Sequence, residues 1–307
     1  MKLTTKLLDQ PYWIIALVLG AGLVALPCVT IDKDYHWLPH SPSSLIPMAV
    51  GIALLLLSSA AFSFTLFQNQ KVAAGIDLTR VKESNGVLWT TVEDCEIRVI
   101  NGRIEDQKQE ADSVIALPCK EYFDDECAYD SKSALGAFVN RVFEGQVEAF
   151  VSFVKKECKK RLEPGEEQQK TSGVRAVSFG AGRCVLLDRP LGRPVQIALV
   201  STATQRDGLG LSGRISYLFD GMRELVTCLA NARIKEVTMP VLGAGHAGID
   251  PPLAFVGLLL AIAEAARYGY GGRRPRRVTI VVFRREEKSE PQVDSIVVRR
   301  ALALIGS

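Results

Sequence analysis

Histidine is scarce in this chain: three copies stand among 307 residues, and only His246 lies beyond residue 71. Cysteine is more frequent, but the seven copies are odd in number, scattered, and form no C-x-x-C pair. Structural zinc sites need clustered Cys and His ligands, and a disulfide framework needs paired cysteines, so neither is indicated and a reducing compartment fits. An excess of one charge is also missing, with 37 Lys plus Arg against 34 Asp plus Glu. No global field therefore argues for a nucleic-acid partner. The basic runs KKECKKR (Lys155 to Arg161) and RRPRR (Arg273 to Arg277) read as solvated helix ends and loops. The apolar fraction of 48% excludes a disordered chain and allows a large buried core.

Charge is absent from two long segments. Nothing between Asp9 and Asp32 is charged, and a second uncharged run extends from Leu45 to Phe67. Each is long enough for a helix to cross roughly 30 Å of hydrocarbon at about 1.5 Å per residue. Residues 11–30 and 45–67 are therefore expected to form a transmembrane hairpin within residues 1–71, followed by a cytoplasmic domain over 72–307. A cleaved signal peptide is disfavoured, because no good small-residue cleavage site follows the first run and a second span comes directly after it. Lys2 and Lys6 precede the first span and Lys71, Arg80 and Lys82 follow the second, whereas the connection carries only Lys33. This asymmetry places both termini in the cytoplasm. Tyr12, Trp13, Tyr35 and Trp37 stand where an interfacial aromatic belt belongs. Small-residue pairs such as Ala16 with Gly20 and Ser59 with Ser63 permit close helix approach.

Beyond Lys71 the pattern alternates between strands and helices. GVLWTTVEDCEIRVING reads as one or two strands with a tight Asn-Gly turn, SVIALPC as a buried strand, and residues 133–162 as helix with a break at Gly145. EPGEEQQKTSG reads as a polar loop. RCVLLD, QIALVSTAT, EVTMPVL and RVTIVVF read as strands, with a helix capped by Ser212 and another capped by Asp250 with proline at its first position. A final helix closes the chain. Such alternation gives an α/β fold with a largely parallel sheet covered on both faces.

Two G-x-G-x-x-G strings occur, Gly208 to Gly213 and Gly243 to Gly248. The first is separated from its strand by TQRD and serves to turn the chain. The second follows its strand at once and leads into a helix, so its backbone N–H groups suit an anionic phosphate. A dinucleotide-dehydrogenase reading fails, because the ribose carboxylate expected about 20 residues on is absent and too few strand–helix units remain. Among candidate residues, His246 is either an exposed loop side chain or a ligand contact. The acidic segment Glu121 to Asp125 is either an ordinary turn or part of a site, and Cys119 reads as a buried thiol rather than a nucleophile.

The segments SVIALPCKEYFDDECAYDSKSALGAFVNRVF, VSFGAGRCVLLD, VQIALVSTATQRDGLG and VTMPVLGAGHAGIDPPLAFVGLLLAI resemble macro domains. Together with the two spans, they are similar to the membrane-anchored macro-domain effectors of the type II Thoeris antiphage system. The resemblance covers essentially the whole chain and implies a macro-domain-like three-layer α/β/α fold with a largely parallel or mixed sheet. It implies an ADP-ribose derivative as ligand, no cofactor or metal, and contacts from Cys119, Glu121, Phe123, Asp124, Ser133, Gly136, Gly180 and Thr202. The phosphate loop would add Leu242, Gly243, Ala244, Gly245, His246, Ala247 and Gly248, with Phe123 stacking on the ligand and Asp124 holding its loop. It further implies a partner TIR-domain protein that makes a histidine conjugate of ADP-ribose from NAD. Binding would drive self-association and disruption of the bacterial inner membrane, causing abortive infection without catalysis. Two departures bear on the alternative, a membrane-tethered ADP-ribosyl or O-acetyl-ADP-ribose hydrolase. Pro118 or Cys119 stands where macro domains carry an asparagine, and Ser133-Ala134-Leu135-Gly136 lacks the family's histidine.

Overall fold

The computed structural model describes residues 77–306, apart from 111, 124–125, 164, 171–172, 207–209, 285 and 287–288. A unit boundary falls between Ile76 and Asp77, so both expected membrane spans lie outside the described residues. The elements in chain order begin with β1 (Lys82–Ser84), β2 (Val87–Val92), β3 (Cys95–Gly102), β4 (Ser113–Lys120), α1 (Glu126–Tyr129), α2 (Ala134–Val142) and α3 (Val147–Arg161). There follow β5 (Glu167–Gln169), β6 (Arg175–Val177), β7 (Cys184–Asp188), β8 (Gln196–Arg206) and β9 (Gly210–Gly213). The chain continues through α4 (Ile215–Ala232), β10 (Glu236–Pro240), α5 (Pro251–Tyr268), β11 (Arg277–Phe283) and α6 (Ser295–Ile305).

The main sheet runs in the order β1-β2-β3-β11-β10-β4-β8-β7, with β9 paired to β8. Its five central strands, β3, β11, β10, β4 and β8, are mutually parallel, whereas β1, β2, β7 and β9 pair antiparallel at the margins. The sheet is therefore mixed, with a parallel heart. Parallel strands need both faces covered, and β8 shows how its sequence provides for that. Ile197 and Leu199 join the core beneath α2 and α3, while Val200, on the opposite face, lies against Gly221 of α4 so closely that a Cβ there would meet its Cγ1 at 2.7 Å. α4 packs against α5, and α5 against α6, on that second face. The result is a three-layer α/β/α domain.

The break inside residues 133–162 falls where the sequence places it. Glu144 and Gly145 take positive φ values of 54° and 78°, which ends α2 and redirects the chain into α3. Phe138, Phe143 and Phe150 are each about 1% exposed or less, and the rings of Phe143 and Phe150 pack with centroids 5.0 Å apart. Burial of one such side chain stabilises the fold by roughly 1.5–3 kcal/mol.

Four local expectations are corrected. The β2–β3 hairpin turns at Glu93–Asp94, with Glu93 at positive φ, and Asn101–Gly102 instead ends β3. Part of the polar EPGEEQQKTSG segment pairs as β5 with β6. Ser212 lies in β9, and the residue preceding α4 is Arg214, without a side-chain cap. Asp250 does precede α5, but its side chain caps nothing. Pro251 and Pro252 fill the first two helical positions, and neither has the N–H that a cap would accept. α5 is long and apolar enough to cross a membrane, yet Phe255, Leu258, Leu259 and Ile262 are buried inside the domain, so it is read as a core helix.

Truncation of Phe138 removes a ring from the centre of the α2–α3 layer. Phe138→Ala is expected to lower stability by about 3–5 kcal/mol in urea unfolding, whereas Leu304→Ala, at a side chain 64% exposed, stays within about 0.5 kcal/mol. Equal midpoints for the two variants would contradict the placement of this core.

Candidate ligand-binding site

The carboxyl ends of the five parallel strands open into one cavity of about 710 Å³, within the usual range for small-molecule sites. β4 and β10 are neighbours, but the chain from β4 goes on to β8 on one side and the chain from β10 to β11 on the other. That divergence is a topological switch point, where an open α/β sheet leaves a crevice. By strand order, Gly102, Arg103, Ile104, Glu105 and Phe283 line the β3/β11 end of the cavity; Pro240, Val241, Gly243, Gly245, His246 and Ala247, with Gln292 bonded to Ala244, line the middle; Cys119, Lys120, Thr202 and Leu211 line the β4/β8 end.

The middle is the 241–250 loop, and its three glycines serve different ends. Gly243 and Gly248 have φ values of 83° and 74°, which only glycine adopts freely. Gly245 has an ordinary φ, and a Cβ on it would meet nothing within 4 Å. The turn therefore requires the first and third glycines, while the second leaves open space above the loop. The loop's carbonyl groups are held by the fold. Ala247 O accepts from Gly213 N–H at 2.7 Å, Gly243 O from Ile249 N–H at 3.2 Å, and Gly245 O from Gly248 N–H at 3.0 Å. Ala244 O accepts from Gln292 Nε2 at 3.2 Å. Among the described residues, no acceptor is in hydrogen-bond range of the N–H groups of Gly245, His246 and Ala247. Since α5 begins with two prolines, the loop rather than the helix's own first turn supplies the donors, and the helix macrodipole adds positive potential behind them.

Across the cavity stands the α1–α2 turn. Ser133 caps α2, its Oγ accepting from Gly136 N–H at 2.8 Å and donating to Cys127 O at 2.5 Å. Gly136 permits close approach, since a Cβ there would lie 2.1 Å from Asp130 O. Asp130 reaches over to the phosphate loop, where its Oδ2 lies 2.8 Å from His246 Nε2. The lone histidine of the domain thus links the two walls.

Of the expected contacts, Cys119, Ser133, Thr202, Gly243, Gly245, His246 and Ala247 line the cavity. Glu121, Phe123, Gly136, Gly180, Leu242, Ala244 and Gly248 do not, and Asp124 lies outside the described residues. Glu121 is a buried clasp instead, accepting from Gln205 N–H at 2.8 Å and Ser178 Oγ at 3.2 Å. Gly180 belongs to the same clasp, its carbonyl accepting from Ser201 Oγ at 3.0 Å. Phe123 is buried against Phe179, ring centroids 6.0 Å apart in an edge arrangement. Burial, reinforced by the neighbouring Cys127 and Cys158, pushes the Cys119 thiol well above its ordinary pKa, so it makes a poor nucleophile. Sequence reasoning missed Lys120, Asp130, Phe283 and the Arg103–Glu105 segment. Lys120, Phe283 and the Arg103–Glu105 segment stand at or just after the last residue of a strand, where alternation no longer decides which way a side chain turns, and Asp130 follows the short helix α1.

A family model for the macro domain of the Thoeris protein ThsA matches residues 97–282, from within β3 to the penultimate residue of β11, and so includes the 241–250 loop. The chain belongs to the Thoeris ThsA macro-domain family. No curated protein matches it. Among solved structures, the Oceanobacillus iheyensis macrodomain with MES bound is similar at 10% identity and TM-score 0.49, over 71% of this chain and 96% of that one. The same macrodomain with ADP gives 10% and 0.46 over 65% and 89%. The macrodomain of Thermus aquaticus DarG gives 17% and 0.39 over 61% and 98%.

Behind the β4 end of this macro domain, two lysines flank one ring. Lys120 Nζ stands 5.7 Å and Lys170 Nζ 5.2 Å from the centroid of Tyr122. Burial and then the charge of Lys120 lower the Lys170 pKa to about 8. Because this folded value lies below the ordinary 10.5, the folded state loses the proton first as pH rises. The site's contribution to stability therefore increases between about pH 8 and 10.5. Lys120→Met is expected to move the Lys170 titration upward, read by NMR of ¹³C-methylated lysines. An unmoved midpoint would contradict the interaction of the two ammonium groups.

Proposed function

We propose that this protein is an antiphage effector whose macro domain senses an ADP-ribose derivative. The observation that carries this reading is the combination at the phosphate loop of three N–H groups without acceptors and an open space above Gly245. A pyrophosphate supplies the acceptors, and the absence of a side chain at Gly245 gives it room. The half-exposed Phe283 and the Glu105 carboxylate offer an adenine an aromatic face and an acceptor for its amino group. The rest of the ligand then extends toward Lys120 and Thr202.

In this reading the signal is a histidine conjugate of ADP-ribose made by a TIR-domain partner, as the resemblance to type II Thoeris effectors implies. The uncharged runs at 11–30 and 45–67 anchor the protein in the bacterial inner membrane with the macro domain in the cytoplasm. Signal binding favours a self-associated state that disrupts the membrane and halts the infected cell. To carry the population from 1:99 to 99:1, the signal has to bind the active state about 10⁴-fold more tightly than the resting one.

The protein acts in this reading as a receptor and not as an enzyme. One observation favours a second reading as a hydrolase: His246 is held by Asp130 at the cavity wall, an arrangement that can orient a general base. Isothermal calorimetry of the detergent-solubilised full chain separates the readings. Wild type is expected to bind ADP-ribose and to leave ADP-ribosylated protein and O-acetyl-ADP-ribose unchanged. Gly245→Asp, which sets a carboxylate before the loop donors without backbone strain, is expected to weaken ADP-ribose at least about 100-fold. Undiminished binding by the variant would overturn the phosphate-loop assignment. Turnover lost on His246→Ala would establish the hydrolase.

A further inference from the structure

We propose, on the membrane anchoring of the reading above, that the end of the domain opposite the ligand cavity is a docking surface for an anionic lipid bilayer. Arg273 and Arg276 take the phosphodiester headgroups there, and Tyr268 enters the headgroup layer beside them.

Three observations lead there. The first is charge. The connection from α5 to β11 turns through Gly269, Gly271 and Gly272, at φ values of 62°, 71° and 76°, and a shallow recess of about 580 Å³ lies against it. Arg273, Arg274 and Arg276 line this recess together with one carboxylate, Asp94. Arg274 is engaged within the domain, donating to Arg267 O at 2.7 Å and lying 3.8 Å from Glu93. Arg273 and Arg276 are exposed, and among the described residues neither pairs with a carboxylate. Arg276 N–H donates to Lys235 O at 2.7 Å, which sets a further exposed lysine beside them. The second is the aromatic ring. Tyr268, in the wall of the same recess, is 74% exposed. A merely solvated basic loop has no use for such a ring, whereas an apolar body with a hydroxyl tip suits a headgroup layer.

The third is the path of the chain. β3 runs toward the cavity, β2 pairs antiparallel with β3, and β1 pairs antiparallel with β2, so the residues before β1 come from the opposite end. There Thr90 Oγ1 donates to Arg80 O at 3.1 Å, and Glu93 of the β2–β3 turn meets Arg274. The chain that leads back to the two uncharged runs thus leaves the domain at the end that carries the arginines. β1 stands three strands from β11, about 14 Å at roughly 4.8 Å per strand. An aromatic ring beside arginines also suits a nucleic-acid strand, but this path favours lipid. A basic side chain held at an anionic leaflet gains about fivefold in affinity, an effect that decays over about 8 Å at physiological salt. Docked in this way, the domain holds its cavity on the side away from the lipid, open to a soluble ligand.

The test follows the full chain in nanodiscs of phosphatidylcholine, alone or mixed with phosphatidylglycerol, and reads hydrogen exchange of the 268–276 amides. Exchange is expected to slow about tenfold or more when phosphatidylglycerol is present, to return to the faster rate in high salt, and to stay unchanged at residues 243–248. Arg273→Glu combined with Arg276→Glu is expected to abolish the lipid effect while leaving ADP-ribose affinity within about twofold. Carbonate extraction of the same chain from phosphatidylcholine vesicles tests the anchoring separately. If the chain resists extraction but exchanges alike in both lipids, or if the double variant keeps the protection, this inference falls and the anchoring stands. Equal protection by single-stranded RNA in phosphatidylcholine nanodiscs would assign the patch to nucleic acid and overturn the inference as well. If carbonate extracts the chain, both fall. The wild-type lipid comparison needs no variant, so a misfolded variant leaves the proposal open to refutation.

Discussion

Backbone N–H groups without acceptors are the constraint on which this domain's site turns. Three of them, on Gly245, His246 and Ala247, stand at the rim where five parallel strands end. Gly245 and His246 are exposed and Ala247 is half-buried, so water can serve these donors in the free protein, and a bound anion takes its place. The loop carbonyls are fixed by Gly213, Gly248, Ile249 and Gln292. What remains is a preorganised set of donors that an anion satisfies without rearranging the fold.

Much of the rest serves to hold that rim in shape. β9 ends against the loop at Gly213, where a Cβ would meet Ala247 Cβ and Ile249 Cγ1 at 2.9 Å. The Glu121 clasp ties β4, β8 and the 178–180 segment together, and the Ser133 cap with the Gly136 contact sets the height of the opposite wall. The His246–Asp130 pair then joins the two walls above the cavity. Stability and recognition thus draw on the same loop, since the backbone N–H groups and the Gln292 amide that pin its carbonyls also present its donors.

The strand and helix order was legible because apolar periodicity is strong where both faces of a sheet are covered, as in SVIALPC and RVTIVVF. The break at Gly145, the core phenylalanines of α2 and α3, and the phosphate-loop glycines were legible for the same local reasons. What the sequence concealed depended on neighbours distant in the chain. Nothing local to Glu121 announces that its carboxylate turns toward Gln205 and Ser178. The lysine after Cys119 continues an apolar strand with no visible bulge, and the short β5–β6 pair hides in a polar stretch. Phe123 had the residue type for stacking, but its positive φ of 48° carries the ring into the core beside Phe179. The family match over residues 97–282 includes the phosphate loop and accords with the resemblance to macro domains drawn from those motifs.

The central claim is that the 245–247 amides receive a pyrophosphate. Amide chemical shifts of the ¹⁵N-labelled protein, recorded on titration with ADP-ribose and, separately, with adenosine, test it most directly. The account predicts large, saturable shifts of Gly245, His246 and Ala247 with ADP-ribose and little change at these three with adenosine. Saturable ADP-ribose binding that leaves these three resonances in place would contradict it.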